Sequence, residues 1–402
     1  MNTTNTASWL DELPQQLAAL DAQQLLRTRR TVAPQQGAHI LVDGQPLLQF
    51  CSNDYLGLAG HPALAEAACT AAWDFGVGSG GSPMVNGHST ANAALEADLA
   101  RFVQLPRALY FYAGFATNAS VIPALVGAGD AIFSDALNHA SLIDGCRLSR
   151  ANIARYPHGD LDALDALLAT SPCRRKLVVS DAVFSMDGNE ANIPGLLTLC
   201  ERHDALLMLD DAHGLGVCGP QGRGSLAAAG LTGAAASPRV LYMSTLSKAA
   251  GVAGGFVAGN EVLIEWLLQK TRSYTFATAA PALLACALQA SLQLMEHESS
   301  LRTRLQARIA QLRCGLQPLL ARTGWQLLPS HTAIQALVVG SNADALALMD
   351  GLRQRGLWVP AIRPPTVPQG TARLRIALSA THTEADVEQL LQALAELATA
   401  QQ

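Results

Sequence analysis

Between about residues 90 and 260, short apolar runs alternate with segments whose apolar side chains recur every three or four positions. No other feature limits the fold so strongly. The strand-like runs fall at 108–112, 131–133, around Ile153, and at 176–180, 206–209, 240–243 and 255–258. Between them lie helical patterns, such as Leu95, Leu99, Phe102 and Val103, then 116–126, a stretch after Asn138, 161–169 and 194–202. Strands separated by helices build βαβ units, so the spacing predicts an α/β fold: a mostly parallel central sheet with helices on both faces.

The chain of 402 residues has room for more than this one layer. Three parts are expected: residues 1–55 as an N-terminal helix and small strands, 56–290 as the large α/β domain, and 291–402 as a smaller C-terminal α+β domain. In the first part, Trp9, Leu10, Leu13, Leu17 and Leu20 predict a helix over 8–30, and two short strands flank an Asp43-Gly44 turn. Residues 261–322 read as largely helical, with Leu301, Leu305, Ile309, Leu312 and Leu316 in one stripe. Strands are predicted at 334–339, 357–361 and 374–378, with helices at 343–355 and 384–398.

Charge and cysteine usage exclude several classes. A net charge of −5 with 15% charged residues leaves no basic footprint for nucleic acid. The eight cysteines are scattered with no CxxC pair, so neither a zinc site nor a disulfide framework is indicated, and reduced thiols in a cytoplasmic protein are expected. The first ten residues lack a basic stretch leading into an apolar one, and no apolar run is long enough for a membrane span.

In open α/β sheets ligands bind beyond the carboxyl ends of the strands. Five such places carry useful chemistry: Ala113-Gly114-Phe115, Ser134-Asp135 leading to Asn138-His139, Asp181 to Ser185, Asp210-Asp211-Ala212-His213-Gly214, and Thr245-Leu246-Ser247-Lys248. Lys248 follows a buried-type strand and is flanked by small residues. Desolvation there would favour its neutral, nucleophilic form, although the same spacing suits a surface lysine capping a strand. Asp210 ends a strongly apolar strand, where a carboxylate needs a partner. A protonated pyridine nitrogen would supply one; a helix cap or a divalent ion are the other readings. Gly114 opens a helix whose free N–H groups suit a phosphate, or it is an ordinary βα turn. These residues together predict pyridoxal phosphate held by Lys248 as a Schiff base.

One motif misleads. Gly76-Val77-Gly78-Ser79-Gly80-Gly81 fits the dinucleotide fingerprint, but that fingerprint must follow a strand, and residues 64–75 read as a helix. A nicotinamide dehydrogenase is therefore disfavoured, and the loop is read as lying near a substrate. A non-catalytic protein is disfavoured because the lysine, the aspartate and both histidines are all present.

Taken in order, Ser52-Asn53-Asp54-Tyr55-Leu56-Gly57, Gly78-Ser79-Gly80-Gly81-Ser82, Asn138-His139-Ala140-Ser141, Val183-Phe184-Ser185-Met186-Asp187-Gly188, Asp210-Asp211-Ala212-His213-Gly214 and Thr245-Leu246-Ser247-Lys248 resemble the α-oxoamine synthases, a family of fold-type-I pyridoxal-phosphate enzymes. The resemblance extends from about Arg27 to the end. It implies a decarboxylative condensation of an amino acid with an acyl thioester in a homodimer whose active site lies at the subunit interface. Within the family, Ile362-Arg363-Pro364-Pro365-Thr366-Val367-Pro368 with Arg373-Leu374-Arg375 is similar to the branch of biotin synthesis that joins L-alanine to a pimeloyl thioester on CoA or acyl carrier protein. Glycine C-acetyltransferase, 5-aminolevulinate synthase and serine palmitoyltransferase are the sibling alternatives.

The resemblance implies these roles. Lys248, Asp210 and His139 are catalytic, with His139 stacked on the cofactor ring. Gly114, Phe115, Ser185, His213, Thr245 and, across the dimer, Thr278 contact the cofactor. Arg27, Asn53, His139, Arg363, Thr366 and Arg375 address substrate. Ala113 and the run Phe276-Ala277-Thr278 depart from the family pattern by losing hydroxyls, which weakens the expected phosphate and interface contacts.

Overall fold

The computed structural model describes residues 8–400 except positions 24 and 35. Among the described residues, fifteen strands form three sheets. The first small sheet starts with β1 (Val32–Ala33), β2 (His39–Val42) and β3 (Gln45–Gln49). The central sheet holds β4 (Arg107–Phe111), β5 (Ala131–Asp135), β6 (Asn152–Tyr156), β7 (Lys176–Asp181), β8 (Leu206–Asp210), β9 (Val240–Thr245) and β10 (Gly255–Gly259). β11 (Gln326–Leu327), β12 (Ile334–Gly340), β13 (Leu357–Trp358), β14 (Ala361–Ile362) and β15 (Ala372–Ala377) complete the set.

The central order is β4-β10-β9-β8-β7-β5-β6. Only β10 runs antiparallel to its neighbours. The two-residue period of these strands divides their side chains between two apolar layers. Leu207 and Leu209 of β8 and Val240 and Tyr242 of β9 face one layer, while Met208, Leu241 and Met243 face the other. Both faces of the sheet are therefore dry, as expected where helices cover both sides.

The N-terminal helix is shorter than its apolar spacing predicts. It spans Trp9–Ala22, not 8–30, because the N–H groups of Leu25 and Leu26 both turn back onto the Leu20 carbonyl. None of its residues is buried. The predicted strand over 357–361 is two strands in different sheets. Pro360 between them has no N–H to donate, and its carbonyl accepts from Arg375 N (3.0 Å). β13 pairs in parallel with β3, so β1, β2, β3 and β13 share one sheet. β14 joins β11, β12 and β15. Among the described residues no helix is long and apolar enough to cross a membrane.

Candidate functional site

The carboxyl ends of β5, β7, β8 and β9 and the turn after β4 meet around one cavity of about 360 Å³. Gly114, Phe115, Asn118, His139, Ser141, Asp181, Asp210, His213, Thr245 and Lys248 all line it. The parallel strands place these residues together because each strand delivers its last residue to the same edge.

The chain has only three lysines. Lys176 begins β7, at the other end of the strand from Asp181, and donates to the His203 carbonyl (3.2 Å). Lys270 lies over the Trp266 ring (5.3 Å). Only Lys248 lines the cavity, with its amine 2.7 Å from His213 Nε2. Burial pulls this lysine down to about 8, against the opposing pull of Asp210 and Asp181. Lowering the pKa exposes the nucleophile: the amine is protonated and inert below about pH 8 and free above it. Acylation of Lys248 in the cofactor-free chain, followed by peptide mass spectrometry, should rise through a midpoint of about 8 instead of the ordinary 10.5. A midpoint at the ordinary value would contradict the burial argument.

Asp210 is 3% exposed. Its Oδ2 accepts from Asn118 Nδ2 (2.6 Å) and its Oδ1 from Ala212 N (3.0 Å). Asn118 also donates to Ser141 Oγ (2.9 Å), while its own Oδ1 is buried without a hydrogen-bond partner. The second aspartate, Asp211, faces away from any shared ion site. It accepts from Ser225 N (2.7 Å), Ser225 Oγ (2.6 Å) and Tyr242 Oη (2.8 Å), so its acceptors are occupied. The divalent-ion reading of Asp210-Asp211-Ala212-His213 is thereby disfavoured. Among the described residues no cluster of three metal-type ligands exists.

His139 caps the helix Ala140–Ser149. Its Nδ1 accepts from Ser141 N (3.2 Å), and its backbone N–H donates to Asp181 Oδ2 (2.7 Å). Burial keeps the ring neutral by lowering its pKa, with Lys248 acting in the same direction and Asp210 against. Asp181 is pushed well up by burial and by the Asp210 charge.

The helix Gly114–Leu125 starts at the cavity without a side-chain cap, so its first N–H groups remain available to an anion. Glycine is needed at its start. A Cβ on Gly114 would come within 2.8 Å of Thr245 Oγ1 and 2.9 Å of Thr245 Cβ.

The remaining predicted residues divide. Asn53 and Arg375 connect to the cavity through His213: Arg375 Nη2 donates to Asn53 Oδ1 (3.2 Å), and Arg375 Nε to the Ser185 carbonyl (2.6 Å). Ser185 and Thr366 line a second cavity of about 410 Å³ with Asn138, whose chain neighbour His139 lines the first. Arg27, Arg363 and Thr366 line a third, away from Lys248. Thr278 lines none of these; it is exposed and borders a small pocket with His88, Glu96 and Tyr110. Ser141, Asp181 and Tyr55 received no role from the sequence, although each lies inside a recognised stretch, and Asn118 lies one turn into the helix that follows Gly114. The signal was position after a strand or in a polar loop, which does not say which side chain turns inward.

Fold and site together define the class: this chain belongs to the aminotransferase class I and II family, whose model matches residues 45–394. The chain is 76% identical to the 8-amino-7-oxononanoate synthase of Paracidovorax citrulli over 97% of its length and 95% of that protein. Among solved structures, a serine palmitoyltransferase with pyridoxal phosphate as an internal aldimine is 28% identical with a TM-score of 0.90, covering 98% of this chain and 99% of that one. An 8-amino-7-oxononanoate synthase from Francisella tularensis is 26% identical with a TM-score of 0.75, over 88% and 98%.

Proposed function

We infer that this chain is a pyridoxal-phosphate-dependent acyltransferase. It condenses L-alanine with a pimeloyl thioester to give 8-amino-7-oxononanoate, carbon dioxide and the free thiol, a step of biotin biosynthesis. The observation that carries the reading is the single cavity lysine, its amine desolvated, sharing one wall with the buried Asp210 carboxylate and His139.

The cavity fits the cofactor on three counts. Asp210 offers a buried carboxylate to a protonated ring nitrogen, beside the unpartnered Asn118 Oδ1. The open start of the helix Gly114–Leu125 and the Thr245 hydroxyl suit a phosphate. Lys248 supplies the amine. His139 offers a neutral ring face to the cofactor ring, and His213 lies beside Lys248. When bound, pyridoxal phosphate supplies an electrophilic carbon and a cationic ring that accepts the electron pair released at the α-carbon.

The chain's own residues do the rest. Lys248 Nζ takes the α-proton of alanine once its amine is free, which its lowered pKa permits near neutral pH. Arg375, with Asn53, addresses a substrate carboxylate by a charge-assisted guanidinium contact. Arg27, Arg363 and Thr366, grouped along the third cavity, face the thioester substrate from outside the reacting centre.

The second cavity supports a substrate with a long apolar chain and a terminal carboxylate. Leu137, Ile143, Phe184, Met186 and Val367 form its apolar lining. Asp187 is paired with Arg373, which leaves Arg155 as the surplus cation. Arg155 donates to the Ala136 carbonyl (3.0 Å) and makes no ion pair among the described residues. Arg155→Ala is expected to raise KM for a pimeloyl thioester about tenfold, the worth of one charge-assisted contact, while leaving an octanoyl thioester unaffected. Equal effects on both substrates would remove Arg155 from this role.

The chain is further proposed to work as a homodimer in the cytoplasm. Its eight cysteines are all free thiols. Trp73 (90% exposed), Val77 (76%), Val85 (82%) and Phe276 (70%) lie about the 76–81 loop. That loop is tied to the Thr278 segment by Ser79 Oγ donating to the Ala279 carbonyl (2.6 Å). Such a patch suits a subunit contact that presents Thr278 to a neighbouring site.

The direct test compares alanine with pimeloyl-CoA against glycine with acetyl-CoA and glycine with succinyl-CoA, reading products by mass spectrometry. Only the first pair should give product, and no turnover with it would overturn the assignment.

A further inference from the structure

A chain of hydrogen bonds leads from Lys248 into the protein, and its protons can be assigned one by one. Arg375 Nη2 lies 3.2 Å from the Asn53 side chain. A guanidinium only donates, so the Asn53 atom facing it is the amide oxygen. That same oxygen is 3.1 Å from Tyr55 Oη, and an amide oxygen only accepts, so the one Tyr55 hydroxyl hydrogen goes to Asn53. Tyr55 Oη is also 2.6 Å from His213 Nδ1. With its hydrogen spent, Tyr55 can only accept there, and Nδ1 must carry the proton. His213 is neutral, since burial first and then the Lys248 and Arg375 charges push its pKa well down. Its Nε2 is therefore bare, and it accepts from the Lys248 amine at 2.7 Å.

We propose that Tyr55 is a positioning residue that locks His213 in its Nδ1–H tautomer, so that a bare Nε2 always faces the Lys248 amine. Tyr55 is fully buried, so no bulk water competes for its hydroxyl. A bare Nε2 accepts a stronger bond from the ammonium than from the neutral amine, so the locked tautomer favours the protonated lysine and gives it a fixed direction. The other tautomer would turn an N–H toward the lysine and favour only the neutral amine. Arg375 thus reaches Lys248 electrostatically and also through Asn53, Tyr55 and His213.

The groups that bear on this chain come from several elements. Asp210, Asp181 and Asp211 raise the Lys248 pKa, and Arg375 lowers it. His139 acts on His213; Tyr55, beyond its burial, feels Arg375 first, by charge and by a direct hydrogen bond, and then Cys218. Tyr55→Phe leaves all of these charges in place and removes one hydroxyl, which separates the tautomer effect from the general field.

The inference rests on Lys248 being the working amine, but its test needs no substrate, so the two fail separately. Full-length cofactor-free protein labelled with nitrogen-15 at histidine is observed by long-range proton–nitrogen correlation, with His213 assigned from the signal lost in His213→Asn. Wild-type His213 should be in the Nδ1–H form. In Tyr55→Phe the two tautomers should mix, and the Lys248 acylation midpoint should fall by about half a unit, since a bond of ordinary strength to the ammonium is loosened. In Asn53→Ala the Tyr55 hydrogen is released toward His213, and the tautomer should move toward Nε2–H. An Nε2–H wild type overturns the proposal without any variant. So does a folded Tyr55→Phe protein whose tautomer and lysine midpoint match wild type.

Discussion

Lys248→Ala should lower turnover of alanine and pimeloyl thioester by about 10⁴-fold, because on the proposed reading one amine serves both as covalent anchor and as proton acceptor. No other lysine can take over: Lys176 is held at the opposite end of β7, and Lys270 stands over Trp266. Borohydride reduction followed by peptide mapping gives an independent reading. In the wild type the reduced cofactor should sit on the peptide containing residue 248, and in the variant on none. Fixation at Lys176 or Lys270 would sink the assignment. The cavity should survive the change, because Asp210, Asn118 and Ser141 hold one another without the lysine.

Asp210→Asn should cost about 10²- to 10³-fold in kcat, the range seen when one preorganised electrostatic partner is removed. The amide keeps the shape but cannot act as an anionic partner for a ring nitrogen. It also turns the charge-assisted bond from Asn118 Nδ2 (2.6 Å) into a neutral one. Steady-state kinetics should show the loss mainly in kcat, and equilibrium dialysis should show weaker retention of pyridoxal phosphate. Turnover within a few-fold of wild type would mean that Asp210 does not face the ring.

The readable parts of the site share a physical basis. A buried parallel strand must be apolar, so the first polar residue after it stands out in the sequence. Because parallel strands end on one edge, those residues are also neighbours in space. Lys248, Asp210, His139 and Gly114 were legible in this way, and all line one cavity. Arg27 and Arg363 carried no such positional signal, and they lie along a different cavity from Lys248. The N-terminal helix shows how periodicity can overrun: the apolar spacing is genuine, but the helix ends at Ala22 through a backbone closure that no side-chain pattern records.

The alternation of apolar strands with helices, and the polar residues at strand ends, were enough by themselves to determine the doubly covered parallel sheet and the edge where chemistry gathers. Both follow from local rules of burial and backbone period. Only the tertiary structure decided the pairing of β3 with β13 across the length of the chain, the division of 357–361 between two sheets, and the turning of Asp211 toward Tyr242 and Ser225 while Asp210 faces the cavity. It alone brought Tyr55 to within 2.6 Å of His213, 158 positions away. Such contacts depend on which elements pack together and on where each hydrogen-bonding atom finds its complement, and neither is written in the spacing of residues along the chain.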